Sequence, residues 1–220
     1  MRADECPKEG SVECEEMKTV PYRQAIGCLL YLSLCTRPDI ALAVQKLAKV
    51  VQNPARKHWN LAKRVFRYLR GTTNFGLVMS KTGEGKQATL VGYVDASYGD
   101  VDNARRATTG YLFKYGNSVV SWASYVQKSV ALATTEAEYM ALSDATREAI
   151  WLRTVFNDLD DEQSAVILYE DNQGCIDMTK NSSGYRRKRS KHIEKVPICE
   201  VAGRTWSGRS SLLSNIEDDR

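Results

Sequence analysis

The period of the hydrophobic pattern changes once along the chain, and this change constrains the fold more than any other feature. Up to Gly71 the apolar residues recur at the i, i+3 and i+4 spacing of amphipathic helices. Beyond Gly71 they form short runs bounded by turn residues, as strands do. A helical segment is therefore followed by a segment that contains a sheet.

The helical segment contains three predicted helices. Residues 23–35 form an apolar run that stops before Pro38, because the residue preceding a proline is disfavoured in the α conformation. A second helix covers residues 39–51 and begins at a carboxylate that complements the helix dipole. The third covers residues 55–69, and Gly71 is expected to cap it.

The second segment alternates strands with helices. Its predicted elements are, in order, strands at 77–79, 90–94, 109–115 and 119–124, a long helix from Thr134, a strand at 165–169 and a helix at 173–180. Turn residues at 81–85 and 116–117 indicate hairpins. The order predicts an α/β fold with a mixed sheet, in which three antiparallel strands are followed by a helix, a parallel strand and a helix.

Composition excludes several classes of protein. Charged residues make up 26% and hydrophobic residues 43% of the chain, as in ordinary globular proteins. No apolar run is long enough to cross a bilayer, and the first twenty residues lack the apolar core of a signal peptide. We therefore expect no membrane partner, and an intracellular protein of the cytoplasm or nucleus with free thiols, Cys28 and Cys35 being packed in a core.

Three carboxylates stand at positions where a metal site can form. Asp95 ends a strand, Glu138 lies one turn into the long helix, and Asp171 follows the next strand. Converging carboxylates repel one another unless cations neutralise them, and oxygen ligands favour Mg²⁺ or Mn²⁺. Two such ions can activate water and stabilise the leaving oxygen of a phosphodiester. The alternative is that an aspartate after a strand is simply a turn residue.

The residues around these acids resemble a known family. The matching segments are residues 93–99 (YVDASYG), 106–111 (RATTGY), 120–122 (VSW), 133–139 (ATTEAEY), 169–173 (YEDNQ) and 191–193 (KHI). In this order they resemble the ribonuclease H domain of copia-type retrotransposon polyproteins. Residues 36–40 (TRPDI), 58–59 (HW) and 67–71 (RYLRG) are similar to the segment between polymerase and nuclease in the same polyproteins.

The resemblance implies a nuclease that cleaves the RNA strand of an RNA–DNA hybrid during reverse transcription, with two Mg²⁺ (or Mn²⁺) ions. By position, Asp95, Glu138 and Asp171 match the first three of the family's four acids. Glu136 competes with Glu138, but the family pattern places the acid before a large residue, and Glu136 suits the helix N-terminus better.

The resemblance also divides the chain into a disordered acidic lead-in (1–19), a helical connection segment of reverse transcriptase (20–72), a truncated ribonuclease H-like domain (73–194) and a non-homologous, irregular tail (195–220). We expect the last strand and the last helix of the fold to be missing, together with the fourth acid. Asp218 or Asp219 would replace that acid only by coincidence. The palm of the polymerase would be a partner in the parent polyprotein, and no polymerase activity is expected of these residues.

Several polar side chains are candidates for contact with nucleic acid. They are Arg105, Arg106, Asn172, Gln173, Arg186, Arg187, Lys188, Arg189, Lys191 and His192. Cations would contact phosphates, and the two amides the sugar edges of the hybrid. The basic run is equally consistent with a solvated loop, and the amides with a helix start. Beside the nuclease, a catalytically inactive nucleic-acid-binding remnant and a non-functional retroelement fragment remain open.

Overall fold

The computed structural model describes residues 6–8, 10–80, 88–98, 105–159, 166–180 and 200–203. The chain divides into two units between Leu77 and Val78. In the described residues, the first unit is helical and the second contains the sheet.

The helices of the first unit are α1 (Val12–Lys18), α2 (Tyr22–Cys35), α3 (Ala41–Ala48) and α4 (Arg56–Gly71), with a 3₁₀ turn at Pro38–Ile40 before α3. The apolar faces of α2, α3 and α4 meet in one core that includes Leu29, Val44 and Ala62. The three helices predicted from amphipathic spacing are present, and each buries one apolar stripe of side chains against the other two.

Helix α1 lies where the sequence predicted a disordered lead-in, and that prediction is wrong for Val12–Lys18. The Ser11 hydroxyl caps the helix by accepting a hydrogen bond from the N–H of Cys14 at 3.3 Å. Met17 anchors it and is 4% exposed. One buried side chain in so short a helix produces no periodic pattern, so hydrophobic spacing did not indicate it.

Two smaller predictions for this unit are also wrong. Gly71 is the last residue of α4, and Thr72 takes the capping position instead. Cys28 and Cys35 are exposed on α2, because the helix turns its other face toward the core. Among the described residues, Cys6, Cys14, Cys28, Cys35 and Cys175 are free thiols.

The second unit is a mixed sheet with helices. Its elements are β1 (Leu90–Ser97), β2 (Thr108–Tyr115), β3 (Ser118–Val126), α5 (Thr134–Asp158), β4 (Ile167–Glu170), α6 (Gln173–Lys180) and β5 (Glu200–Gly203). The strand order is β3-β2-β1-β4-β5, in which β1, β2 and β3 pair antiparallel and β4 pairs parallel to β1. The prediction of a mixed, ribonuclease H-like α/β fold is confirmed.

Helix α5 packs against β1 and β2, and the core between them includes Leu90, Phe113, Leu142 and Leu168. Gly92 on β1 leaves room for two of these core side chains to pack directly over the strand. A Cβ atom at Gly92 would lie 2.6 Å from both the Leu168 and the Phe113 side chains. Buried and exposed residues alternate along β1, as in a strand that turns one face to the core.

The strand predicted at residues 77–79 is wrong. These residues have no regular secondary structure, and Val78 is 74% exposed. An apolar run becomes a strand only when it has a partner strand, and among the described residues this run pairs with none. The loop predicted at 81–85 lies outside the described residues.

Strand β5 corrects a second expectation, that the last strand of the fold would be missing. Its four residues pair in parallel with β4, from Ile167 opposite Glu200 to Glu170 opposite Gly203. Backbone groups make this pairing, so a segment too short for an alternating pattern can supply it. The last helix of the fold would fall among residues 204–220, outside the described residues, as does the rest of the predicted irregular tail.

Candidate metal centre

Asp95 is the first of the predicted acids along the chain. It lies within β1, two residues before the strand ends, and its side chain is exposed. Its partner in the register is Gly110 on β2. The strand therefore fixes the backbone of Asp95 while its carboxylate remains open to solvent.

Glu138 lies in the second turn of α5 and is 7% exposed. Glu136, the competing candidate, instead accepts a hydrogen bond from the N–H of Leu132 at 2.7 Å through its carboxylate. That contact stabilises the chain entering α5, as expected of an acid at a helix N-terminus. The geometry therefore turns Glu138, and not Glu136, toward the other acids.

Asp171 lies between β4 and α6. The next residue, Asn172, caps α6 with a side-chain oxygen that accepts a hydrogen bond from the N–H of Cys175 at 3.0 Å. Gln173 donates a hydrogen bond to Asp177 one turn along α6, at 2.9 Å. Asn172 and Gln173 thus have roles in starting the helix, and the predicted contact with nucleic acid stays a prediction.

The three acids converge. One carboxylate oxygen from each of Asp95, Glu138 and Asp171 lies within 4.8 Å of those of the other two. They come from a strand, a helix and a strand–helix junction that are distant in sequence, so the folded sheet is what brings them together. The structure therefore assembles the three carboxylates that the sequence singled out.

The electrostatics of the cluster reflect crowding of like charges. Burial raises the pKa of Glu138 most, and three neighbouring carboxylates raise it further, to about 9. Those neighbours are Glu170, Asp95 and Asp171. Burial and the charge of Asp171 also raise the pKa of Asp95. Glu138 and Asp95 are thus disfavoured in their charged forms unless a positive charge is present.

Glu170 is an acid that the sequence analysis missed. It ends β4, is 2% exposed, and has a pKa of about 7, raised mainly by burial. The available signal was strand alternation: two residues after the buried Leu168, a side chain at position 170 must also point inward. A charged residue at such a position is rare unless it is paired or binds a metal.

The residues fit a divalent cation with oxygen ligands. Three carboxylates lie within 4.8 Å of one another, and the Oε2 atom of Glu138 is buried without a hydrogen-bond partner among the described residues. A cation between the carboxylates would satisfy that oxygen and offset the repulsion. Hard oxygen donors select Mg²⁺ or Mn²⁺ rather than softer metals.

The predicted basic contacts divide into two groups. Arg105 and Arg106 are exposed just before β2, and Arg105 adopts the left-handed conformation with φ of 62°. Arg186, Arg187, Lys188, Arg189, Lys191 and His192 lie outside the described residues. Contact of either group with nucleic acid stays a prediction.

Comparison with known proteins decides the family. The chain is 44% identical over 179 residues to the Retrovirus-related Pol polyprotein from transposon TNT 1-94 of Nicotiana tabacum, a match that covers 81% of this chain. It is 36% identical over 174 residues, 78% of its length, to the Pol polyprotein from transposon RE2 of Arabidopsis thaliana. The chain belongs to the copia-type Pol polyprotein family. The resemblance seen in the sequence is thereby confirmed.

This copia-type segment is short beside those relatives, since it spans 13% of the TNT 1-94 polyprotein and 12% of the RE2 polyprotein. It is also 51% identical over 137 residues to Secreted RxLR effector protein 161 of Plasmopara viticola, covering 62% of this chain and 94% of that protein. No protein-family model matches the chain.

Among solved structures, the foamy viral protease-reverse transcriptase in complex with dsDNA aligns with 83% of this chain and 38% of that chain. The TM-score is 0.35 and the identity 15%, too low to support an inference. Within the described part of the copia-type segment, no helix is long and apolar enough to cross a membrane.

Proposed function

We propose that the second unit is a ribonuclease H-type nuclease that hydrolyses the RNA strand of an RNA–DNA hybrid. The observation that carries the proposal is the convergence of the Asp95, Glu138 and Asp171 carboxylates within 4.8 Å. A cluster of this composition suits two divalent cations and has little other use, because without cations its members repel one another. Membership of the Pol family supports the assignment, since reverse transcription produces such hybrids.

In this proposal the three carboxylates would hold Mg²⁺ or Mn²⁺. Such ions, when bound, would supply the chemistry that activates water and stabilises the leaving oxygen of a phosphodiester. The chain's own residues would bind and orient: Asp95 is exposed and thus accessible to a substrate, while Glu138 is buried and held on α5. We propose that Asn172 and Gln173, which adjoin Asp171, contact the sugar edge of the hybrid.

The partners follow from the family. We propose that the hybrid is delivered by the reverse transcriptase palm of the parent polyprotein, with residues 20–72 as the connection segment and residues 73–194 as the nuclease domain. We expect the fourth acid of the family to be missing and the activity to be impaired for that reason. Reverse transcription occurs inside cells, which places the proposed activity in the cytoplasm or nucleus.

The test is cleavage of a labelled RNA–DNA hybrid by the purified chain with Mg²⁺ or Mn²⁺. We expect Asp95→Asn to lower the cleavage rate by at least about 100-fold, since even residues behind metal ligands are worth 10–100-fold. The matched control is Asp158→Asn, an exposed acid at the far end of α5, roughly 30 Å along the helix from Glu138. Equal rates for all three proteins would refute the proposal.

A second candidate function, nucleic-acid binding without cleavage, is favoured by the surface of α4. This helix carries six cations and no acid. Lys63, Arg67 and Arg70 recur at helical spacing and are all exposed, so they form one basic stripe. Arg56, earlier on the helix, instead pairs with Glu16 at 3.3 Å. A positive stripe suits the phosphate backbone of a nucleic acid. Tight binding of the hybrid by wild-type protein, without cleavage in either metal, would favour this function.

A further inference from the structure

The feature that the proposed function leaves unused is Glu170. It lies on β4, where side chains alternate between the two faces of the sheet. Leu168, two residues earlier, belongs to the core that α5 covers and lies close to Gly92 of β1. Glu170 therefore points to the α5 side of the sheet, the same side from which Glu138 approaches.

The carboxylate of Glu170 uses only one of its oxygens. Oε1 accepts a hydrogen bond from the backbone N–H of Asn172 at 3.1 Å. Oε2 is buried and has no hydrogen-bond partner among the described residues, and the same is true of Oε2 of Glu138. Buried polar atoms are rarely left unpartnered unless the site binds something further.

Both glutamates act electrostatically on one buried neighbour, Cys175. Cys175 on α6 is completely buried, and burial together with the charges of Glu170 and Glu138 raises the pKa of its thiol. Glu170 is also the neighbour whose charge most raises the pKa of Glu138. Glu170 ends β4 directly before Asp171 and is buried, so it is one of the carboxylates that surround Glu138.

We propose that Glu170 is a fourth carboxylate of the cation site, one that binds through a water on the ion rather than directly. It is not one of the three acids whose oxygens lie within 4.8 Å of one another, so direct coordination of the same ion is not indicated. Its Oε2 atom is free to accept a hydrogen bond from an ion-bound water, and its charge attracts the cation. The inference rests on the proposed metal site.

A purely structural role explains less. Holding the N–H of Asn172 requires one acceptor oxygen, which glutamine would supply equally well. It does not require a second carboxylate oxygen, or a negative charge beside three other acids, in a buried position. A role in cation binding uses both the unpartnered oxygen and the charge.

The experiment is calorimetric titration of the metal-free chain with Mn²⁺ alone. We expect Glu170→Gln to weaken Mn²⁺ binding by about tenfold or more, as for other residues that act on a metal through its ligands. Glu170→Asp, which keeps the charge, should recover part of the loss. The control is Glu148→Gln on α5. Glu148 accepts a hydrogen bond from Ser121 at 2.6 Å and lies more than two turns along the helix from Glu138. The Mn²⁺ affinity of this variant should match that of the wild type.

A second measurement separates binding from folding. In a chelator, Glu170→Gln should melt at or above the wild-type temperature, because it removes a buried charge from a repulsive cluster. Equal Mn²⁺ affinity of wild type and Glu170→Gln would overturn this inference while leaving the proposed nuclease intact. Absence of Mn²⁺ binding by the wild type would overturn both. Loss of cooperative melting in Glu170→Gln would mean that the role is structural, and would also overturn the inference.

Discussion

In the first unit, Arg37 and Asp39 form a largely buried ion pair that the sequence pattern does not predict. Arg37 donates to both carboxylate oxygens of Asp39, at 2.9 Å from Nε and 2.6 Å from Nη2, and to the carbonyl and hydroxyl of Thr72. Tyr68 donates a further hydrogen bond to Asp39 at 2.9 Å. Burial opposes ionisation of Asp39, yet the hydrogen bonds from Arg37 and Tyr68 outweigh it and lower its pKa. The sequence pattern identified Asp39 only as a helix start.

Asp39→Asn should therefore destabilise the first unit strongly. It leaves the Arg37 guanidinium buried without a charged partner, a change that costs about 3–5 kcal/mol in other proteins. Urea unfolding followed by circular dichroism measures the loss. Glu15→Gln is the matched control, since it removes an exposed partner of Lys18 at 2.7 Å, and exposed ion pairs contribute little to stability. Similar losses for both variants would contradict the prediction.

In the second unit, the single residue on which packing depends most clearly is Gly92. Gly92→Ala places a methyl group 2.6 Å from two fully buried side chains, Leu168 and Phe113, so one or both must shift within the core. Overpacking of this kind costs about 1–3 kcal/mol, so thermal unfolding should shift to lower temperature. Gly110→Ala is the control on the neighbouring strand, where the nearest atom would be at 3.8 Å. An equal shift for the control would show that strand propensity, not crowding, is responsible.

At the scale of elements, the sequence predicted what periodicity encodes and missed what depends on pairing. Helix α6 was predicted with both of its ends, and α5 with its first residue, because capping and spacing are local. Residues 77–79 have the composition of a strand but pair with no other strand among the described residues. Strand β5 lacks that composition, yet it pairs with β4. The site followed the same division: Asp95, Glu138 and Asp171 lay in recognisable motifs, whereas Glu170 depended on which way β4 faces.

Helix α4 carries the prediction that belongs to this scale. Replacing Lys63, Arg67 and Arg70 together by glutamine should weaken binding of a labelled RNA–DNA hybrid in the presence of a chelator. The logarithm of the binding constant decreases linearly with the logarithm of the salt concentration. If each cation contacts one phosphate, the magnitude of this negative slope should decrease by about 2 to 3.

The control for α4 removes the same charge from other exposed positions, with Lys8, Arg23 and Lys128 replaced by glutamine. If net charge alone governed binding, the control would lower the slope as much as the stripe variant. A slope that changes only in the stripe variant would locate the nucleic acid on α4.

For the whole molecule, the buried acids make stability depend on pH in the absence of metal. The pKa values of Glu138 and Glu170 are raised to about 9 and about 7, above those of an unfolded chain. Between the ordinary glutamate pKa of 4.5 and these raised values, the folded state binds more protons than the unfolded state. Stability therefore falls as the pH rises through this range. Thermal unfolding in a chelator should occur at a lower temperature at about pH 8.5 than at about pH 5.

Mg²⁺ should reverse this loss at the higher pH, because it binds only the folded arrangement of ionised carboxylates. Glu138→Gln should flatten the pH dependence in the chelator and abolish the rescue by Mg²⁺. A wild-type protein whose unfolding temperature rises with pH over this range would contradict the assignment of the buried acids.

The wide separation of the three converging acids along the chain has a kinetic consequence. An ion that needs β1, α5 and the β4–α6 junction together finds no site until the sheet and helix have docked. Ion binding would therefore leave the rate of folding unchanged and slow the rate of unfolding, since it stabilises contacts that form late. The bound cation would lengthen the lifetime of the folded unit, and its removal would expose the chain to proteases sooner.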